Sequence, residues 1–189
     1  MASNPVTKVT EEEYLAIDRA AEMRSEFLEG EMIAMSGASM RHNRLQTNIL
    51  GELYIALRGG HCHPFGSDFR VRVSPGCMYA YPDVIVVCGK AQLADDRQDI
   101  LLNPTVIFEV LSPSTERYDR GVKSQYYRAI ESLTDYILVD QDQVRIEQFT
   151  RSGTTWTLRD YQQLEDQLSI DSIKVSLPLG LIYDGTEIS

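Results

Sequence analysis

Thr105-Val106-Ile107-Phe108-Glu109-Val110-Leu111-Ser112-Pro113-Ser114-Thr115 decides the reading of this chain. Thr105 to Leu111 is a nearly continuous apolar run of strand length, as expected of a central strand buried on both faces, and Pro113-Ser114-Thr115 breaks it. Glu109 is out of place there. A carboxylate in such a strand loses its hydration and stays charged only when it is paired or bound to a cation. The same anomaly stands upstream, in Tyr81-Pro82-Asp83-Val84-Ile85-Val86-Val87-Cys88. Pro82 suits a strand start, where its missing N–H costs no ladder bond, and Asp83 opens the apolar run. Two such strands side by side bring Asp83 and Glu109 within reach of one ion. Magnesium, with manganese as its substitute, takes one or two carboxylates and fills its remaining positions with water and phosphate oxygens. The bland alternative is that each acid sits at a strand end against water or an arginine.

The break at Pro113 leads into a helix predicted over Asp119 to Ser132. Asp119, Lys123, Tyr126, Tyr127 and Ile130 share one helical face, and its aromatics direct it onto the sheet. Lys123 then aims at the end of the sheet that carries Glu109, where an ammonium stabilises a charged phosphoryl transition state or orients a water. The competing reading is a snorkelling lysine paired with Asp119.

Near the N-terminus, Thr10-Glu11-Glu12-Glu13 is a capping box that predicts a helix to about Ala21. Glu26 to Met35 reads as two strand pieces joined by a tight turn at Glu29-Gly30. Leu45, Ile49, Leu53, Ala56 and Leu57 mark an amphipathic helix over Met40 to Leu57, ended by Gly59-Gly60. Ser67 to Val73 alternates as a half-exposed strand, and its Asp68 is a further candidate acid for the metal. Asp135 to Asp140, Val144 to Thr150 and Thr155 to Arg159 form a meander with a turn at Ser152-Gly153, and Ile173 to Leu177 adds a last strand. The whole predicts a mixed α/β (α+β) fold, a central mixed sheet flanked by helices, as one domain over residues 1–189.

Bulk properties set limits. At 43% hydrophobic and 24% charged residues the chain can bury a core, and no apolar stretch approaches the ~20 residues a membrane crossing needs. The N-terminal segment MASNPVTKVTEEEY lacks the apolar centre of a secretory signal, which predicts a cytoplasmic location with no membrane partner. Cys62, Cys77 and Cys88 are odd in number and irregular in spacing, so free thiols and no disulfide are expected. His61-Cys62-His63 lacks the paired spacing of a zinc site and reads as a loop after Gly59-Gly60. No G-x-S-x-G elbow or phosphate-cradling glycine loop is present. The net charge of -10 has the wrong sign for a nucleic-acid binder. Arg41, Arg44, Arg70, Arg72, Arg117, Arg120 and Arg128 are the candidate phosphate contacts.

Pro82-Asp83, Glu109-Val110-Leu111-Ser112-Pro113-Ser114-Thr115, then Asp119, Lys123 and Tyr126-Tyr127 resemble the Uma2 family of restriction-endonuclease-like proteins. Glu26-Phe27-Leu28-Glu29-Gly30-Glu31 resembles that family's acidic hairpin, and His42 matches its histidine. The resemblance runs from about Glu12 to Tyr183. It implies the PD-(D/E)XK nuclease fold and a magnesium- or manganese-dependent endonuclease acting on DNA. Asp83 and Glu109 would hold the metal with the Val110 carbonyl, and Lys123 would assist catalysis. Glu26 is either a further acid at the metal or an exposed strand residue. In the wider superfamily a lysine follows the second acid by two residues; here that position is Leu111, and Lys123 on the next helix is its counterpart. The second reading is a non-catalytic nuclease-fold module that binds nucleic acid or protein, favoured by the net charge and by Leu111. Nuclease folds that cut both strands often pair, and the apolar segment Leu177 to Tyr183 is the expected face of a homodimer.

Overall fold

In the computed structural model, which describes residues 8–35 and 37–188, Thr10 caps α1 (Glu11–Ala20). Its hydroxyl accepts from the Glu13 N–H at 3.2 Å and its own N–H donates to the Glu13 carboxylate at 2.8 Å, so two otherwise orphaned donors are satisfied. The reading of the N-terminus as lacking an apolar centre rests partly on residues 1–7, outside the described residues. β1 (Ser25–Leu28) and β2 (Glu31–Ala34) form the expected hairpin. Its turn holds Glu29 at φ 47 and Gly30 at φ 93, the pair of positive φ values that matches the strands' own twist. α2 (Met40–Leu57) starts at Ser39, whose hydroxyl accepts from the His42 N–H at 3.1 Å, and buries Leu45, Ile49, Leu53 and Leu57 along one stripe.

β3 (Cys62–Gly66), β4 (Arg70–Ser74), β5 (Met78–Ala80), β6 (Val84–Cys88), β7 (Ile100–Leu101) and β8 (Val106–Leu111) follow. Then come α3 (Glu116–Tyr118), a π-helical turn (Asp119–Lys123) and α4 (Ser124–Tyr127). β9 (Asp135–Asp140), β10 (Ile146–Ser152), β11 (Thr155–Tyr161), β12 (Gln167–Ile170), β13 (Val175–Pro178) and α5 (Leu179–Ile182) complete the chain. The fold is mixed α/β, but the strands divide where one sheet was expected. The central sheet is six-stranded in the order β11-β10-β9-β8-β6-β3, with β8 and β9 parallel and the other neighbours antiparallel. A second sheet, β2-β1-β5-β4-β7, packs across one face of it, and β12-β13 form a separate pair.

The alternation along the central strands sends side chains to two cores. Val84, Val86, Val106, Phe108 and Val110 face α2 and the C-terminal elements. Ile85, Val87, Ile107 and Leu111 face the second sheet, together with Tyr127, Tyr136 and Leu138. Glu109, at 4% exposure, lies on that second face.

Three expectations are corrected. His61-Cys62-His63 runs into strand β3 and does not form a loop. Cys62 and Cys88 face each other across the β3–β6 pair and are joined as a disulfide, leaving Cys77 free; cross-strand register, which spacing along the chain does not encode, brings them together. The Leu177 to Tyr183 segment is not an exposed interface: Leu177, Leu179, Ile182 and Tyr183 are buried in the core that includes Leu45, Ile49 and Leu53 of α2. Its apolar pattern signalled burial, and α2 of the same chain supplies the partner. Among the described residues no helix is long and apolar enough to cross a membrane.

Candidate active site

The antiparallel register of β6 and β8 pairs Val84 with Phe108. One residue further, Asp83 comes level with Glu109 at the end of the ladder. Asp83 accepts from the Val110 N–H at 2.7 Å through one oxygen and contacts His42 Nε2 at 2.9 Å through the other. His42 stands in the first turn of α2, so the Ser39 cap fixes the helix end that reaches Asp83. Gln46, one turn on, donates to the Asp83 carbonyl at 2.9 Å. Within a strand the N–H and C=O of one residue face the same edge; the Val110 carbonyl therefore faces the Asp83 side of β8.

Glu109, level with Asp83, points into the face covered by the second sheet. Its Oε1 accepts from Lys123 Nζ at 3.1 Å and from the Tyr127 hydroxyl at 2.9 Å. Lys123 Nζ also lies 2.9 Å from Glu26 of β1 and 3.3 Å from Asp119. Glu26, Glu109, Asp119 and Lys123 are all buried. The Tyr118 ring lies 5.6 Å from the ammonium, a cation–π contact. Two sheets and the helix after β8 thus converge: β8 brings Glu109, β1 brings Glu26, and the π-helical turn brings Asp119 and Lys123. The snorkelling alternative for Lys123 fails on burial, since its amine points inward, although its pairing with Asp119 is real.

One ammonium faces three carboxylates, with Asp83 alongside, so the charge is unbalanced. Burial drives the Glu109 carboxyl well above the usual carboxylate range, and Asp119, Asp83 and Glu26 push it further against the pull of Lys123. Burial alone would depress the Lys123 amine, but Glu109, Glu26, Tyr127 and Asp119 together hold it above its ordinary value. Asp119 Oδ1 is buried without a hydrogen bond, its lysine contact being ionic only. An all-oxygen donor set carrying surplus negative charge fits a hard divalent cation such as magnesium or manganese.

Other candidates fall outside this cluster. Asp68 is exposed in the turn between β3 and β4. Arg70 is buried against Asp18 at 2.5 Å and hydrogen-bonded to the Tyr81 hydroxyl at 2.8 Å, which withdraws it from phosphate contact. Arg120 is engaged by Glu116 and Glu147, and Arg41 by Asp142. The Asp119–Lys123 pairing was expected from the competing reading, whereas the Tyr127 hydroxyl as a partner of Glu109 was not. The signal of Tyr127 was its place on the helical face of Lys123, read there as packing.

A family model described as "Uma2: Putative restriction endonuclease" matches residues 11–180. Two proteins of Synechocystis sp. PCC 6803 are similar along nearly the whole chain. Sll1609 is 34% identical over 171 residues, covering 89% of this chain and 97% of its own length. Slr1290 is 32% identical over 184 residues, covering 97% and 95%; both carry the description "uncharacterized protein". A crystal structure described as a "putative nuclease belonging to DUF820", from Anabaena variabilis, superposes with a TM-score of 0.78 over 94% of this chain and 99% of that one. At 16% identity the likeness is one of fold.

Proposed function

Because the chain belongs to the Uma2 family, we propose that it is a metal-dependent endonuclease that hydrolyses phosphodiester bonds in DNA, acting as one nuclease-like domain. The observation that carries this reading is the meeting of Lys123 with Glu109 and Glu26 at 3.1 and 2.9 Å, next to an Asp83 tied to the adjoining Val110 N–H. Leu111 leaves the usual lysine position on the strand empty of charge; Lys123 delivers an ammonium to Glu109 from the following helix.

Asp83 and Glu109, with the Val110 carbonyl, would hold magnesium or manganese. A divalent ion bound there supplies polarisation of the phosphodiester and a lowered pKa for a bound water. Lys123 sets positive charge beside the reacting phosphate and steadies the developing negative charge. Glu26 holds the Lys123 amine from the opposite sheet and fixes its direction. The Tyr127 hydroxyl donates to Glu109 and keeps its Oε1 oriented. His42 restrains Asp83 from the α2 side.

One observation favours the second reading, a nuclease fold kept as a binding module for nucleic acid or protein. The Lys123 ammonium lies among Glu26, Glu109 and Asp119 and already serves as their counter-ion. Calorimetric titration with magnesium and manganese separates the two. The nuclease reading expects binding in the wild type and its loss in Asp83→Asn, since an amide lacks the charge that holds the ion. Wild-type protein that takes up neither ion would decide for the module.

A further inference from the structure

We propose that His61, Cys62 and Cys88 form a second metal site, for a thiophilic divalent ion such as zinc, which becomes available when the Cys62–Cys88 disulfide is reduced. One ligand atom from each residue lies within 4.8 Å of the others, and no other such grouping of three histidine, cysteine or acidic ligands occurs among the described residues. The site is distinct from the carboxylate cluster in donors and in place. Asp83 precedes the first residue of β6, whereas Cys88 is its last.

The register builds the site. Cys62 opposes Cys88 across β3 and β6, and the Gly89 N–H donates to the His61 carbonyl at 2.8 Å, which carries the pairing one residue beyond the ladder. Cys62 is buried, Cys88 is half-buried and His61 is exposed. The ion therefore has an entry side, and its inner thiolate is shielded from water. His63 stands one residue on and faces the opposite side of the sheet, so it does not complete the set. The adjacent triplet in the sequence is thus not the ligand set; the third ligand comes from the neighbouring strand. Zinc bonds thiolate at about 2.3 Å and imidazole at about 2.0–2.1 Å, and three protein ligands leave its fourth position to water.

The chemistry balances. A dithiol reductant gives two electrons to the Cys62–Cys88 bond, which opens to two thiols as the reductant closes to its own disulfide. Zinc then displaces the two thiol protons, forms two Zn–S bonds and takes a neutral nitrogen of His61. In either state the end of β3 stays fastened to the end of β6, covalently when oxidised and through the ion when reduced.

The test uses the full chain, reduced under argon, freed of metal and titrated with cobalt(II) as a spectroscopic probe for zinc. The expected result is a thiolate-to-cobalt charge-transfer band saturating at one equivalent. A carboxylate site cannot produce that band, so it is unchanged in Asp83→Asn and in Cys77→Ser, and the outcome is independent of the nuclease reading. It is lost in Cys88→Ser and in oxidised wild type, and His61→Ala weakens binding about tenfold or more. In reduced wild type, zinc protects the half-buried Cys88 from iodoacetamide while Cys77 stays open. That labelling needs no variant to fold. No charge-transfer band in the reduced wild type, or Cys88 labelled equally with and without zinc, would overturn the proposal.

Discussion

Lys123 neutralises only part of the charge gathered around it, and that imbalance governs how single residues respond. Replacing it with alanine leaves Glu26, Glu109 and Asp119 buried around a vacated ammonium. Removing one partner of a buried ion cluster costs about 3–5 kcal/mol, so urea unfolding of Lys123→Ala in metal-free buffer is expected to show a loss of that order. A loss of a few tenths would mean the carboxylates are not charged there. The raised carboxyl of Glu109 gives a pH signature. Its folded value lies above the ordinary 4.5, so its contribution to stability is complete below about pH 4.5 and fades as pH rises through the raised value. Metal-free wild type is therefore expected to lose melting temperature with rising pH above 4.5 more steeply than Glu109→Gln; equal slopes would contradict the assignment. Asp83 and Glu109 were legible because a charge inside an apolar run stands out in any sequence. Asp119 was legible only as a pairing partner of Lys123, and Tyr127 was not legible, since a helical tyrosine beside a lysine looks the same whether it lines a site or packs a surface.

The elements that position the site differ in how openly the sequence declares them. The β1–β2 hairpin carries Glu26 and depends on Gly30 at φ 93, where the nearest obstacle to a Cβ is the Lys8 side chain at 3.1 Å. A β-branched residue there forces a conformation that costs about 1–2 kcal/mol. Gly30→Val is thus expected to destabilise the protein by that amount in urea and to loosen Glu26 from Lys123; unchanged stability would show the turn to be adaptable. This hairpin, α1 and α2 could be read directly, because a turn dipeptide, a capping box and a heptad-like stripe are all local. The helix after β8 could be read only in part. It starts at Glu116, earlier than Asp119, and its middle is π-helical between Asp119 and Lys123, a widening that no periodicity records. The Cys62–Cys88 pairing and the split into two large sheets were hidden for a related reason: both follow from which strands become neighbours, and β7, with two residues, is too short to leave a pattern.

For the molecule as a whole, a net charge of -10 opposes contact with a phosphate backbone, and the carboxylates of the site contribute to it until a cation binds. Binding of magnesium or manganese to the folded state alone should raise the melting temperature in step with ion concentration, by about 2.7 kcal/mol of stability when the free ion is a hundredfold above its Kd. Asp83→Asn should remove that gain, and a wild-type melting temperature indifferent to millimolar ion at fixed pH would count against the centre. The overall class, a mixed α/β nuclease-like fold, was legible because its two charged central strands and the helix between parallel β8 and β9 lie close together in sequence; the covering sheet was not, because its strands are gathered from distant segments. The proposed hydrolysis at Asp83, Glu109 and Lys123 is read out by a cleavage assay on duplex, single-stranded and branched DNA with magnesium or manganese. Low ionic strength is required, because weak phosphate affinity is lost as salt rises. Wild type is expected to nick or cut at least one substrate, Asp83→Asn and Glu109→Gln to cut none, and Lys123→Ala to cut slowly while still binding the ion. Pure wild-type protein that binds the ion yet cleaves nothing, or an Asp83→Asn variant as active as wild type, would contradict the proposal.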